Sequence, residues 1–326
     1  MKITVTGAAG LVGSNIVRSL LGEGETVTAM VHRDRRALEG LGISTCTGDI
    51  EDTGSLLQAF AGADAVVHSA GYVSIRGNEW EKLHRLNVLA TRNVARVCLA
   101  AGVKKLVYIS SVHALQQEPL DEPLDENRNL TLGKGFTSYD RSKAMAEIEI
   151  QQAAKEGLHT SILRPTAVIG PHDHHPSALG KAVYLLSRGR WPAVVQGGFD
   201  WVDARDVGKA VHLALEHAPA GSDYLVTGTW TSILGLAERI STISGCFCPS
   251  IAIPLWMAKL VVPAGDFIAS HSRKEQIFTS ATLGALDSNT RICRAKAEKE
   301  LGYRPRQLNE TLRDTISWFQ QNPPVL

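Results

Sequence analysis

The chain has 326 residues, more than one compact core usually holds, so a large domain with an elaborated end or two interlocked domains is expected. Its 34 basic and 33 acidic residues leave a formal net charge of +1, which gives nucleic acid or an anionic membrane surface no global field to follow. Hydrophobic residues make up 44% of the sequence, ordinary for a globular protein and too many for a disordered one. The five cysteines (Cys46, Cys98, Cys246, Cys248 and Cys293) are odd in number and form no CxxC pair, and the CFC of 246–248 suits neither a zinc ribbon nor a redox motif. A reduced, cytoplasmic protein is expected. The start, MKITVTGAAG, reaches a glycine turn after six residues and leaves no room for the apolar stretch of a signal peptide. The most apolar segment, 251–269, is broken by Pro254, Lys259, Pro263 and Asp266 and does not read as a membrane span; a packed helix is expected there, with a substrate-covering or interfacial amphipathic segment as the alternative.

Short runs rich in β-branched residues occur at 2–6, 26–31, 43–47, 64–68 and 104–110, and helical patterns separate them at 11–21, 53–62 and 78–102. Strand and helix in steady alternation predict an α/β fold, a doubly wound parallel sheet of Rossmann type with right-handed crossovers. The longest of these helices ends on Ala101 and Gly102, a good stop. A further helix runs from Tyr139 to about Glu156, followed by a strand within 159–170. After Gly170 the pattern loosens, and the strand and helix of 200–218 with the strand of 224–228 read as a return to the sheet. From 230 onward the chain is mostly helical with proline interruptions. Residues 1–169 and 201–228 are expected to form the dinucleotide-binding domain, and 170–200 with 229–326 a smaller, mainly helical C-terminal substrate part.

The first strand runs into TGAAGLVGS, where Gly7, Gly10 and Gly13 are spaced GxxGxxG and open a helix. Pyrophosphate binding needs a tight turn, close backbone, and the exposed amides of a helix N-terminus, here those of Leu11, Val12 and Gly13. A glycine-rich turn without a ligand is the plainer alternative. Where NAD binders place an acid after the second strand, this chain has Val31, followed by His32 and Arg33. Cationic groups there suit a 2′-phosphate, so NADP(H) is favoured over NAD(H), while Asp34 keeps NAD in play. Asp49 and Ile50 follow the third strand, where a carboxylate could reach the adenine amine; Asp49 could equally be a turn residue or a cap.

Tyr139 and Lys143 stand four apart in YDRSK, which alone is only a pair on one helix face. With TGAAGLVGS, GDI, VVHSAG (66–71), NV (87–88), ISS (109–111) and LRPTAVIGP in order, however, the chain resembles the extended branch of the short-chain dehydrogenase/reductase superfamily over nearly its whole length. Within that branch it is similar to dihydroflavonol 4-reductase-like proteins and the related bacterial group, some of whose members are named hopanoid-associated sugar epimerases. That resemblance implies Tyr139 as the acid/base, Lys143 as the lysine that binds the nicotinamide ribose and lowers the phenol's pKa, and Ser111 as the serine bonding the substrate oxygen, with Ser110 as the alternative. It implies that Ser69, Ala70 and Gly71 let the cofactor lie against backbone, and that Pro165, Thr166 and Val168 contact its nicotinamide end. Asn87 matches the family's buried helix asparagine, or is simply a satisfied core amide.

Two departures bear on the reaction. SSVHAL (110–115) lacks the Thr-Asp-Glu that nucleotide-sugar 4,6-dehydratases resemble one another in carrying, and Ala167 in RPTA stands where many nucleotide-sugar epimerases have an asparagine. An NADP(H)-dependent reductase of an apolar or aromatic ketone or aldehyde is therefore expected, with a nucleotide-sugar epimerase/dehydratase or a catalytically silent dinucleotide-binding protein as alternatives. The pocket is expected from 115–138, 171–200 and the C-terminal part, with Leu115, Phe136, Tyr184, Trp191 and Trp256 on its walls. His172, Asp173, His174 and His175 lack metal-site spacing and read as a rim loop; no metal is expected. Asp206 is expected to cap a helix, and Trp201 and Trp256 to lie in the core or pocket wall. The expected partners are a small-molecule carbonyl or alcohol substrate and a second copy of the chain, with no nucleic acid and no membrane span.

Overall fold

A computed structural model describes residues 1–74, 79–260 and 280–324. The apolar segment 251–269 is thus described only to Leu260, and its remainder lies outside the described residues. Seven strands form one wholly parallel sheet: β1 (Lys2–Thr6), β2 (Thr26–Val31), β3 (Ser44–Thr47), β4 (Ala65–His68), β5 (Lys105–Ile109), β6 (His159–Pro165) and β10 (Ser222–Val226), in the order β10-β6-β5-β4-β1-β2-β3. The order reverses beside β1, and ligands of such sheets sit at that crevice, beyond the carboxyl ends of the strands.

Helices cover both faces, as a parallel sheet requires. Helix α1 (Leu11–Gly22) packs on one face with α7 (Ala204–His217), so closely that a Cβ on Gly208 would lie 2.8 Å from Asn15 O. The apolar side chains of Ile16, Val17, Val207 and Val211 share the core there with Val5 and Val27. On the other face, α2 (Thr53–Phe60), α4 (Ala90–Ala100) and α5 (Ser138–Lys155) bury Phe60, Val94 and Ile150 against Val66 and Leu106. The long helical run before β5 is not uniform: α3 (Trp80–Leu83) leads into a π turn, His84–Leu89, before α4. Gly102, at φ +71, ends it.

Two expectations fail in the middle of the chain. The strand of 159–170 is two strands, because Pro165 has no N–H to extend the ladder and the Thr166 side chain turns to Asp200, 2.7 Å away. Beyond it, β7 (Ala167–Ile169) belongs to a second sheet of three strands with β9 (Gly198–Asp203) and β11 (Thr229–Ser232). So the strand at 200 does not rejoin the large sheet; only α7 and β10 do. Glycine makes the second sheet possible, since a Cβ on Gly228 would sit 1.8 Å from Trp201 O. The helix cap also differs. Asp203 caps α7 by accepting from Arg205 N at 2.8 Å, and Asp206 lies inside the first turn, accepting from Arg306 N at 2.7 Å and from its guanidinium.

The remaining elements, α6 (Ala178–Ser187), α8 (Ile233–Ser244), a short pair of strands β8 (Ala193–Val195) and β12 (Ile251–Ile253), and the helix Leu308–Gln321, enclose a separate apolar core around Trp201, Leu236 and Leu312. Trp201 is buried as expected, but Trp256 is 64% exposed and lies in no apolar core among the described residues. Leu115 is fully buried with Val112 and Leu124, which removes it from a pocket surface.

Candidate active site

The glycine turn is fixed by contact distances. Gly7 has φ +67, and a Cβ there would lie 2.6 Å from Ala70 N; one on Gly13 would lie 2.1 Å from Gly7 O. Gly10 differs, since its Cβ would meet only Gly7 O at 3.5 Å. It starts α1, whose first turn, with Leu11, Val12 and Gly13, has no side-chain cap and no acidic residue. An open cradle over uncapped amides fits the phosphates of a dinucleotide.

After β2, His32 and Arg33 are exposed, and among the described residues Arg33 makes no hydrogen bond or ion pair. Asp34 is engaged: Arg36 binds it through backbone and guanidinium, and His175 reaches it from the far loop. Those bonds, Arg36 foremost, hold the Asp34 carboxyl well below the usual carboxylate range. Asp49 serves as a turn residue, accepting from Glu51 N at 2.9 Å, while its other oxygen lies 3.9 Å from His32 Nε2. Asp52, not Asp49, caps α2. Ile50 is half-buried beside it.

Beyond β4, Ser69 Oγ donates to Thr6 O at 2.7 Å and Ala70 N to Thr6 Oγ1 at 3.4 Å. Gly71 faces Asn87 and Lys143: its Cβ would be 3.4 Å from Asn87 Oδ1 and 3.9 Å from Lys143 Nζ. Asn87, in the π turn, accepts from Tyr72 N and donates to Tyr72 O and Ser142 Oγ, at 2.7, 2.9 and 2.9 Å. Its amide is therefore a satisfied one that ties three segments together. His68, which the sequence reading passed over, is fully buried between Thr6 Oγ1 (2.8 Å) and Thr91 Oγ1 (3.0 Å), and burial pulls its pKa to about 3.

Ser111, Tyr139 and Lys143 converge where β5 ends beside the start of α5. Thr137 caps α5 by accepting from Asp140 N at 3.1 Å, which sets Tyr139 in the first turn. Ser111 accepts from His113 N at 3.2 Å and faces the Tyr139 phenol. Burial pushes that phenol up to about 12, opposed by the Ser111 hydrogen bond and reinforced by Asp140. Burial is the largest influence on the phenol in this arrangement. Lys143 is itself pulled down to about 7 by burial, opposed by the charge of Glu147, and its Nζ donates to Ile109 O at 2.8 Å.

The two serines separate cleanly. Ser110 Oγ donates to Glu147 Oε1 at 2.5 Å, so its hydroxyl is engaged by that carboxylate. Glu147 and its partner Arg164 were not singled out in the sequence. The available signal was an arginine inside the apolar run ILRP, which a buried strand tolerates only beside an acid. At the other side of the site Pro165 closes β6, Thr166 Oγ1 donates to Asp200 Oδ1, and Val168 is half-buried in β7. The Thr166 hydroxyl is therefore committed to the second sheet, where Asp200 also accepts from Gly228 N at 2.7 Å.

The histidine run forms a loop pinned by Asn15 Nδ2, which donates to Pro171 O at 2.9 Å. Asp173, pushed up to about 6 by burial, accepts from Ser177 N and Oγ at 2.9 Å ahead of α6, and His174 lies edge-on to Trp318. Among the described residues no group of three or more His, Cys, Asp or Glu is placed to hold a metal ion. A cavity of about 510 Å³ lies between Gly228, Arg294, Tyr303 and Arg306, away from the expected pocket residues. Arg294 and Arg306 on its wall are already paired, with Glu298 at 2.7 Å and with Asp206.

Residues 3–227 match the model of the NAD dependent epimerase/dehydratase family. The chain belongs to that family. It is an extended short-chain dehydrogenase/reductase, an NAD(P)-dependent enzyme acting on CH–OH or carbonyl groups. Among relatives of this epimerase/dehydratase family, "Sterol demethylase protein B" of Methylococcus capsulatus is 32% identical over 325 residues, 98% of this chain and 99% of the relative. A Synechocystis protein whose name assigns it provisionally as a dihydroflavonol 4-reductase is 32% identical over 332 residues, 98% and 94% of the two chains. A solved nucleoside-diphosphate-sugar epimerase from Pseudomonas aeruginosa superposes with a TM-score of 0.82 at 25% identity, covering 99% and 98%.

Proposed function

We propose that this protein reduces an apolar or aromatic ketone or aldehyde with NADP(H), using Ser111, Tyr139 and Lys143. The convergence of those three side chains at the junction of β5 and α5 carries this reading. NADPH, when bound, supplies the hydride that reduces the carbonyl carbon. Tyr139 gives its phenolic proton to the carbonyl oxygen. A phenol whose pKa stands at about 12 is protonated at neutral pH and ready to act as the acid. Ser111 donates to the same oxygen and then stabilises the phenolate left on Tyr139. Lys143, cationic below about pH 7, holds the ribose hydroxyls and favours the phenolate.

Arg33, exposed and unpartnered, is the group for a 2′-phosphate; Asp34, bound by Arg36 and His175, is poorly free to accept from a ribose. Gly7, Gly10, Leu11, Val12 and Gly13 would hold the pyrophosphate, with Ser69, Ala70 and Gly71 against the nicotinamide half and Pro165, Thr166 and Val168 beyond it. His32, Asp49 and Ile50 would flank the adenosine. Residues 1–169 and 201–228 form the dinucleotide-binding domain in this reading, and 170–200 with 229–326 the substrate part. Phe136, Tyr184 and Trp191 offer ring surface for an apolar substrate, which accords with the sterol in the name of one relative. Among the described residues no helix is long and apolar enough to cross a membrane. The proposed setting is a cytoplasmic homodimer.

A second reading, a nucleotide-sugar epimerase, is favoured by the likeness to the Pseudomonas epimerase. A substrate panel followed by nicotinamide absorbance, paired with calorimetry of UDP-glucose, UDP-galactose and UDP, separates the two. Reduction of apolar carbonyl compounds with weak UDP binding is expected; a micromolar dissociation constant for UDP-glucose would select the epimerase.

A further inference from the structure

Tyr139, Lys143 and Glu147 follow at four-residue steps along α5 and so share one face. Each meets one of three successive residues at the end of β5. Tyr139 faces Ser111, Lys143 Nζ donates to Ile109 O at 2.8 Å, and Glu147 accepts from Ser110 Oγ at 2.5 Å. Glu147 is 0% exposed, and a carboxylate is almost never buried so fully without a partner. Its partner is Arg164 on β6, 2% exposed, whose Nε and Nη2 donate to Oε1 and Oε2 at 2.9 and 2.8 Å. The third guanidinium nitrogen donates to Asp223 Oδ2 at 2.5 Å, and Asp223 accepts from Lys296 at 2.9 Å.

We propose that Glu147 is a positioning residue: clamped by Arg164, it fixes the register of α5 on the end of β5 and holds a negative charge one turn below Lys143. This rests on the reading of Ser111, Tyr139 and Lys143 as the reacting groups. Ser111 follows Ser110 directly, on extended backbone with φ −155 and ψ 149, so tying Ser110 to Glu147 fixes the chain that carries the Ser111 hydroxyl. The groups around Lys143 can be named. Its own helix supplies Tyr139 and Glu147; β5 supplies the Tyr108 ring, 4.6 Å from Nζ; β4 supplies His68, kept neutral by burial; and β6 supplies Arg164, balanced by Glu147 and Asp223. Glu147 is the anion that opposes the loss of charge on Lys143 caused by burial.

The test is the affinity for NADPH and for NADH, read by nucleotide fluorescence as pH is raised through the Lys143 value, together with steady-state kinetics. In the unmodified protein binding weakens as pH rises through about 7, because Lys143 loses the proton that binding needs. Glu147→Gln, which keeps the shape, is expected to move that limb down by roughly 1 pH unit. Ser110→Ala is expected to leave the limb in place and lower kcat about 10-fold, with KM for the nucleotide unchanged, through misplacement of Ser111. A folded Glu147→Gln protein with an unmoved limb overturns the proposal. If Glu147→Gln does not fold, Ser110→Ala decides: unchanged kcat overturns the proposal, and the kcat loss sustains it. Tyr139→Phe serves as the reference. If it keeps most of the rate, the reading of the reacting groups has failed, while the pH limb, measured by binding alone, still judges Glu147.

Discussion

The glycine turn and the loop after β2 lie at the same edge of the sheet but are made of different material. The turn is backbone packed on backbone, with Gly7 and Gly13 leaving no room for a single added carbon. The β2 loop is side chain in water: His32 and Arg33 are exposed, and Arg35 reaches the hydroxyls of Thr45 and Thr47. Gly7 and Gly13 tolerate no added side chain, whereas the second kind of site can be retuned one charge at a time. In the proposed reading, phosphate binding is set by the fold, and coenzyme preference by a few solvated groups.

The sharpest way to break the rigid side of this contrast is Gly13→Ala. The added Cβ would lie 2.1 Å from Gly7 O, a backbone atom that cannot turn away. Strain of about 3 kcal/mol or more is expected, seen as a lower Tm and loss of nucleotide binding in the same titration. Between the extremes stands Tyr139→Phe, which removes one hydroxyl from a buried site and leaves the glycine turn untouched. Turnover should fall by about 10²-fold or more with nucleotide affinity nearly intact; a variant keeping most of its rate would strip Tyr139 of the role proposed. On the adjustable side, Arg33→Ala should fold normally and narrow the preference for NADPH over NADH by roughly 1–3 kcal/mol, the scale of a charge-assisted contact. A competition titration with NADH bound more tightly by the unmodified protein would remove the 2′-phosphate assignment.

The same division explains what could be read in advance. The first five strands and the glycine turn depend on local pattern, and they lie within about a residue of their expected places, as with Ser44–Thr47 against 43–47. The split at Thr166 could be read only in part: Pro165 stands in the sequence, but Asp200, which takes the Thr166 side chain, lies 34 residues away. Glu147 meets Ser110 across 37 residues, and His175 meets Asp34 across 141. The sequence VDARD holds two acids, and the choice of Asp203 over Asp206 as cap depends on where β9 stops, which the second sheet decides. Pairings of this kind are tertiary, and no window along the chain contains both partners.

The single residue between β6 and β7 has an evolutionary consequence. Thr166 joins the large sheet to the small one without slack, bonded to Asp200 through its side chain and to Val226 O through its amide. A joint that short transmits position faithfully, so the small sheet is carried by the large one as a bracket is carried by a beam. The histidine loop, α6 and β8 then hang between β7 and β9, two strands anchored at that bracket. Such an arrangement lets the stretch from 171 to 197 be exchanged for another without disturbing the geometry at Tyr139. Descendants of one ancestral enzyme can in this way acquire new substrates by grafting, while keeping the same catalytic frame.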